Sequence, residues 1–227
     1  MDKDKREPTQ ALAKIYNDNN EEYAHFLKLN DEKQERILAA AYDEFLEKSY
    51  GEASTNIITQ KAGISKGLLF RYFGNKEGLY KFLMKESARR IAREAFTALP
   101  TESGDVFAII KSIIQLKIMV CLRYPKETDF LIAAWVANLP ESLLQQREKM
   151  MGVSYDYFDV ICGLLDESLL RDKVEKNVAA EIIAWVCEKY TAKVLSNGSV
   201  DKTAESWNRV AEDLDKYMGA LRSGLYK

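Results

Sequence analysis

The chain has 227 residues, 47% of them hydrophobic and 30% charged, which suffices for one large core or two modest domains and excludes a disordered protein. Four prolines and 11 glycines are too few for a loop-rich β fold, and a net charge of −2, taken alone, argues against a nucleic-acid partner. The three cysteines, Cys121, Cys162 and Cys187, form no C-x-x-C pair and no disulfide framework, so they are expected to be buried thiols in a reducing compartment.

Residues 1–20 are polar and charged and are expected to form a mobile tail. Lys3, Lys5 and Arg6 are offset there by Asp2, Asp4 and Glu7, which disfavours a minor-groove arm. The segment begins with no apolar signal core, and a cytoplasmic protein is expected. Glu21 to Leu29 suits a short helix or an ordered arm. Asn30 is an expected N-cap, with Asp31 and Glu32 at the positive end of the next helix dipole. That helix is predicted over 31–49, with Ile37, Leu38, Ala41, Tyr42 and Phe45 on one face and Gly51 as its stop.

Ser54 or Thr55 can cap a second helix that points Ile57, Ile58 and Ala62 inward. Gly63-Ile64-Ser65 makes a tight break, and a third short helix is predicted over 66–73. Gly74-Asn75 breaks the pattern again before a long helix over about 76–96. Past a loop at 99–104, helices are predicted at about 105–123, 126–138, 141–170, 175–196 and 201–223. No stretch alternates with period two for long enough to make a strand. Lys111, Gln115 and Lys117 break the most apolar run, Val106 to Leu122, so no membrane span is expected. The expected class is therefore all-α.

Two short helices joined by a glycine-containing turn and packed on a preceding helix constitute a helix-turn-helix. Its position agrees with the distribution of charge. Residues 54–85 hold six basic residues and one acid, Glu77, a charge of +5 that leaves −7 on the rest. A basic module is joined to an acidic remainder.

Residues 33–83 resemble the DNA-binding domain of the TetR family of regulators. The resemblance lies in Arg36-Ile37-Leu38-Ala39-Ala40-Ala41, Tyr50-Gly51, Ala53-Ser54-Thr55, the run from Ala62 to Phe73, and Gly74-Asn75-Lys76-Glu77-Gly78-Leu79. It implies an N-terminal three-helix helix-turn-helix domain over 31–80, following an extension over 1–30. A helical ligand-binding and dimerisation domain would occupy 81–227. By the same resemblance Thr55 is a phosphate-contacting hydroxyl. Ser65, Lys66, Gly67 and Leu68 form the base-facing end of the recognition helix, and Phe70, Arg71 and Tyr72 continue its exposed face. Lys76 holds a phosphate at the start of the following helix. Arg71 can donate two hydrogen bonds to guanine and is the first candidate for base readout. The family usually has tyrosine where Phe70 stands. Phenylalanine cannot donate to a phosphate, which leaves an apolar contact to a thymine methyl group.

The resemblance further implies an effector pocket in the helices after residue 104, for which Arg123, Trp135, Tyr155 and Phe158 are candidates. It also implies a homodimer built by the last two helices. Ala180, Ile183, Ala184, Cys187 and Val194 give one apolar stripe, and Trp207, Val210, Leu214, Met218 and Leu221 the other. The expected partners are thus an operator on double-stranded DNA, a second copy of the chain and a small molecule of unknown identity, with no cofactor, metal or membrane. His25, the sole histidine, is expected to be structural or surface. Two other readings stand beside this one. The first is a DNA-binding architectural or cell-division factor without an effector. The second is an all-α enzyme, which would need a nucleophile–base pair, a metal-ligand cluster or a phosphate-binding glycine loop that the sequence lacks.

Overall fold

The computed structural model describes residues 22–97, 104–150, 165–196 and 204–227, with the backbone alone at 92–97 and at scattered positions that include Cys121, Val194 and Trp207. The tail at 1–20 and the residues Tyr155, Phe158 and Cys162 lie outside the described residues. Among those described the fold is all-α, and the sole β-type pairing is a single antiparallel bridge between Leu170 and Tyr226. The chain divides into two compact units, residues 1–91 with 124–153, and residues 92–123 with 154–227.

The first unit starts with a one-turn helix, α1 (Ala24–Leu27), followed by α2 (Asp31–Glu52). Asn30 caps α2 as expected, its side-chain oxygen accepting from the Lys33 amide at 3.0 Å. The regular helix ends at Ser49 rather than at Gly51, because Ser49 takes φ 60°, ψ 172°, a conformation that few non-glycine residues adopt. Next come α3 (Thr55–Ala62), α4 (Lys66–Phe73) and α5 (Lys76–Thr97). Gly63 ends α3 in the left-handed conformation, φ 63°, the freedom expected of it.

The core of this unit joins Ile37, Leu38, Ala41 and Phe45 of α2 to Ile58 and Ala62 of α3, Leu69 and Phe73 of α4, and Leu79 and Leu83 of α5. Tyr23 and Phe26 belong to the same core, so it extends back into the segment expected to be an extension ending at residue 30. His25 is exposed beside them. The core also takes in α7 (Pro125–Val136), whose Phe130 ring packs against Tyr42 at 5.4 Å and Tyr80 at 4.8 Å. Residues 141–150 are helical, and Leu143 is buried in this core as well.

A charged cluster ties α2, α5 and α7 together. Arg90 donates to Glu35 at 2.6 Å, to Glu86 at 2.8 Å and to Glu127 at 2.9 Å, and Arg89 grips both oxygens of Glu86 at 2.7 Å. Burial alone would raise the Glu86 carboxyl, but the hydrogen bonds and charges of Arg89 and Arg90 hold it below its ordinary value of 4.5. A depressed carboxylate contributes stability that is present above its unfolded value and is lost as pH falls through its folded one. Thermal melts of the wild type and of Glu86→Gln should therefore differ most at neutral pH and converge below pH 4.5. A constant gap across that range would remove the carboxylate from the acid response.

The second unit packs α6 (Val106–Arg123), α8 (Lys176–Ser196) and α9 (Ala204–Leu225) around Val106, Phe107, Ile110, Ile183, Leu214 and Met218. The predicted helix over 141–170 does not reach 170. Residues 165–166 are not helical and Glu167–Leu169 is a 3-10 turn. Asp166 caps that turn by accepting from the Ser168 amide at 2.9 Å. The backbone beyond it turns to the chain end, where the Arg171 amide donates to the Leu225 carbonyl at 2.8 Å and the Lys227 amide to that of Leu169 at 2.9 Å. Hydrogen bonds to a distant partner replace the helical ones, a tertiary contact with no local signal. No helix among the described residues is long and apolar enough to cross a membrane.

Candidate nucleic-acid interface

In α4 the buried residues are Leu69, Tyr72 and Phe73, an i, i+3, i+4 stripe that turns the opposite face outward. Lys66, Gly67 and Arg71 are exposed, and Leu68 and Phe70 are half-buried. Neither Lys66 nor Arg71 has an ion-pair partner among the described residues. The Lys66 ammonium lies 5.6 Å from the centre of the Phe70 ring, one turn further along. Gly67 has no packing reason to lack a side chain, since a Cβ there would meet nothing within 4 Å. Ser65 is the N-cap, its hydroxyl oxygen accepting from the Leu68 amide at 3.2 Å, which leaves its O–H free to donate outward. Tyr72 is a correction: expected on the exposed face, it is buried against Phe26, because residues 70, 71 and 72 advance by 100° each and cannot share one side of a helix.

The α3 side also departs from expectation. Ile58, Thr59 and Ala62 face inward, and Ile57, expected to join them, is 39% exposed. Thr59 takes the inward place because its hydroxyl donates to the Asn56 carbonyl at 2.9 Å and needs no water. Thr55, the expected phosphate ligand, is the first residue of α3 and is half-buried. The N-cap is Ser54, whose hydroxyl accepts from no helix amide. That makes Ser54 a second hydroxyl at a helix N-terminus. The sequence left it tied with Thr55 because both residues suit a cap.

Lys76 stands at the start of α5, but its ammonium points into the protein. It donates to the carbonyls of Tyr50 at 2.8 Å, Gly51 at 3.2 Å and Ala53 at 3.2 Å, and lies 4.8 Å over the Tyr50 ring. Asn75 caps α5, accepting from the Gly78 amide at 2.8 Å. Lys61 lies beside Glu44 at 3.8 Å and Glu47 at 4.0 Å.

Arg123 and Trp135 are both exposed. On the last two helices Ile183, Leu214 and Met218 are buried inside the protomer, where they have no surface left for a partner. Ala180, Ala184, Cys187, Val210 and Leu221 are half-buried. The side chains of Val194 and Trp207 lie outside the described residues. Among the described residues the large apolar side chains that α8 presents outward are Val178 and Trp185, the latter 62% exposed, and neither belongs to the stripe expected at the interface. Their offset from Ala179 and Ile183 carries a signal, since one face of a helix cannot serve two partners.

Two short helices at a glycine turn, with cations and a free helix end on their outer side, define a helix-turn-helix DNA-binding module. Residues 37–82 match the family model for bacterial regulatory proteins of the tetR family. The fatty acid metabolism regulator protein of Bacillus subtilis (strain 168) is 22% identical over 181 residues, 80% of this chain and 86% of that one. A TetR family transcriptional regulator from Chloroflexus aurantiacus J-10-fl shares the fold with a TM-score of 0.63 and 21% identity, over 90% of this chain and 98% of that one. The fatty acid degradation regulator FadR from Bacillus halodurans does so with a TM-score of 0.57 and 18% identity, over 82% and 95%. The match to the tetR family model is thus confined to the helix-turn-helix domain, and over the rest of its length the chain is similar to transcriptional regulators in fold.

Proposed function

We propose that the protein is a cytoplasmic, homodimeric repressor that is released from its operator by a small amphipathic molecule. The observation that carries the DNA half of this reading is the outer face of α4. Lys66, Gly67 and Arg71 stand exposed there without ion-pair partners among the described residues, and Ser54 and Thr55 bring hydroxyls to the N-terminus of α3. Hydroxyls and amides at the α3 end hold phosphates and set register. Ser65, Lys66, Gly67, Leu68, Phe70 and Arg71 face the major groove, Arg71 toward guanine and Phe70 toward a thymine methyl group. Two copies place their recognition helices about one turn of DNA apart, roughly 34 Å, on a pseudo-palindrome. The dimer forms through α8 and α9, with Val178 and Trp185 in the contact.

The effector binds in the helices after residue 104, and the names of two relatives point to a molecule with a fatty acyl chain. It favours a spacing of the recognition helices that DNA does not accept, a coupling of about 1–3 kcal/mol. The chain passes from the first unit to the second within α5, which makes that helix the natural transmitter.

The test is selection of genomic fragments by the purified protein, followed by salt titration on the enriched sequence. A pseudo-palindrome bound with steep salt dependence is the expected outcome, and no enrichment with or without fatty acyl ligands would end the proposal. On that operator Arg71→Ala should cost about 1–3 kcal/mol and relax preference at one base pair per half-site. An equal loss on every sequence would move Arg71 to the phosphate backbone.

A further inference from the structure

Lys76 occupies a place at which a regulator of this family is expected to hold a phosphate, yet its ammonium is already saturated. An ammonium has three protons. Here three carbonyl oxygens, of Tyr50, Gly51 and Ala53, receive them at 2.8–3.2 Å, with the Tyr50 ring beneath the charge. A phosphate could be reached only by giving up bonds to carbonyls whose turn has no helix to satisfy them.

These carbonyls belong to the turn that aims α3. It starts at the strained Ser49 and ends at Ser54, the N-cap of α3. From the other side the buried carboxylate of Glu44 accepts the Ser54 amide at 3.0 Å, and the Ala53 amide donates to the Ser49 carbonyl at 3.1 Å. A cation therefore holds the carbonyls of this turn and an anion holds an amide. The hydroxyls of Ser54 and Thr55 follow directly. We infer that Lys76 is a positioning residue: it fixes the 50–53 turn so that the free N-terminus of α3, with Ser54 and Thr55, is preset for a DNA phosphate, and it takes no phosphate itself. The inference rests on the DNA-binding reading above for its consequence, though not for the turn.

The test uses the full-length protein, with Lys76→Met to remove the ammonium and Lys76→Arg to keep the charge but exchange a compact tripod for a planar fork. The DNA probes are a duplex with the enriched sequence and a scrambled duplex of equal length. Lys76→Met should weaken binding about tenfold on both while leaving the slope of log affinity against log salt unchanged. Lys76→Arg should not restore the affinity. Combined Ser54→Ala/Thr55→Val, costly in the wild type, should cost little more in the Lys76→Met background, because the hydroxyls are then no longer aimed. Without DNA, amide exchange at 53–55 should speed up in both Lys76 variants. A slope flatter by about 0.9, with rescue by arginine, would make Lys76 a phosphate ligand and overturn the inference. Additive losses would confine Lys76 to stability, and unchanged exchange would overturn the staple even if the wild type bound no DNA.

Discussion

Phe26→Ala should lower the stability of the first unit by about 3–5 kcal/mol, a fall of about 10 °C in melting temperature, although α1 is a single turn. Phe26 is fully buried. Its ring lies 4.9 Å from Phe73, 5.1 Å from Phe82 and 6.1 Å from Tyr72, in the tilted and edge-on arrangements that aromatic pairs favour. Phe73 and Tyr72 form the inward side of the recognition helix, so Phe26 braces that helix from beneath. Four residues are too few for a helix to persist unaided. The aromatic anchors hold α1, and α1 in return fills the space behind α4. DNA affinity should fall with stability even at temperatures where the variant remains folded, because a loosened α4 loses its fixed angle to α3. Denaturation melts read beside binding at low temperature will separate the two effects. A variant with wild-type melting would mean that the cavity closes at no cost and that α1 is an ornament.

The helix-turn-helix was legible because its signals are local. Gly63 and Gly74 punctuate the pattern, the charge is concentrated between residues 54 and 85, and the inward residues recur at helical spacing. What escaped is what tertiary structure supplies. Tyr23 and Phe26 sit in a segment too short for periodicity to show. Phe130, 50 residues beyond Tyr80 in sequence, enters the same core across a distance that no local pattern spans. The carbonyl contacts of Lys76 were not legible either, since a lysine at a helix start looks the same in sequence whether it faces a phosphate or three carbonyls. Tyr72 and Ile57 were different: the 100° step of a helix sets Tyr72 with Leu69 and Phe73 on the inward side, and turns Ile57 away from the side that Ile58, Thr59 and Ala62 share. On α8, Ile183 of the stripe expected at an interface lies in the protomer's own core, Ala180, Ala184 and Cys187 are half-buried, and Val178 and Trp185 are exposed.

Gly78→Ala should disrupt the interface more than any exposed substitution, at a cost of about 2–4 kcal/mol with loss of DNA binding. A Cβ at 78 would overlap the backbone carbonyl of Phe73, the last residue of the recognition helix. That oxygen cannot swing aside as a side chain would. It already accepts the Asn75 amide at 2.8 Å, within a turn that Gly74 makes at φ 74°. The Gly78 amide is in turn held by the Asn75 side chain. The only relief is to move α4 away from α5, which shifts Lys66 and Arg71 together. Gly67 supplies the internal contrast. It also lies in a helix, but an added Cβ there meets nothing, so alanine at 67 leaves the fold intact and tests only how closely DNA approaches. Melting and duplex binding of the two variants in parallel will decide the matter. Retention of both properties by Gly78→Ala would show that α4 does not close on α5 so tightly, and the fixed angle assigned to the recognition helix would then have to come from α1 and the turn before α3.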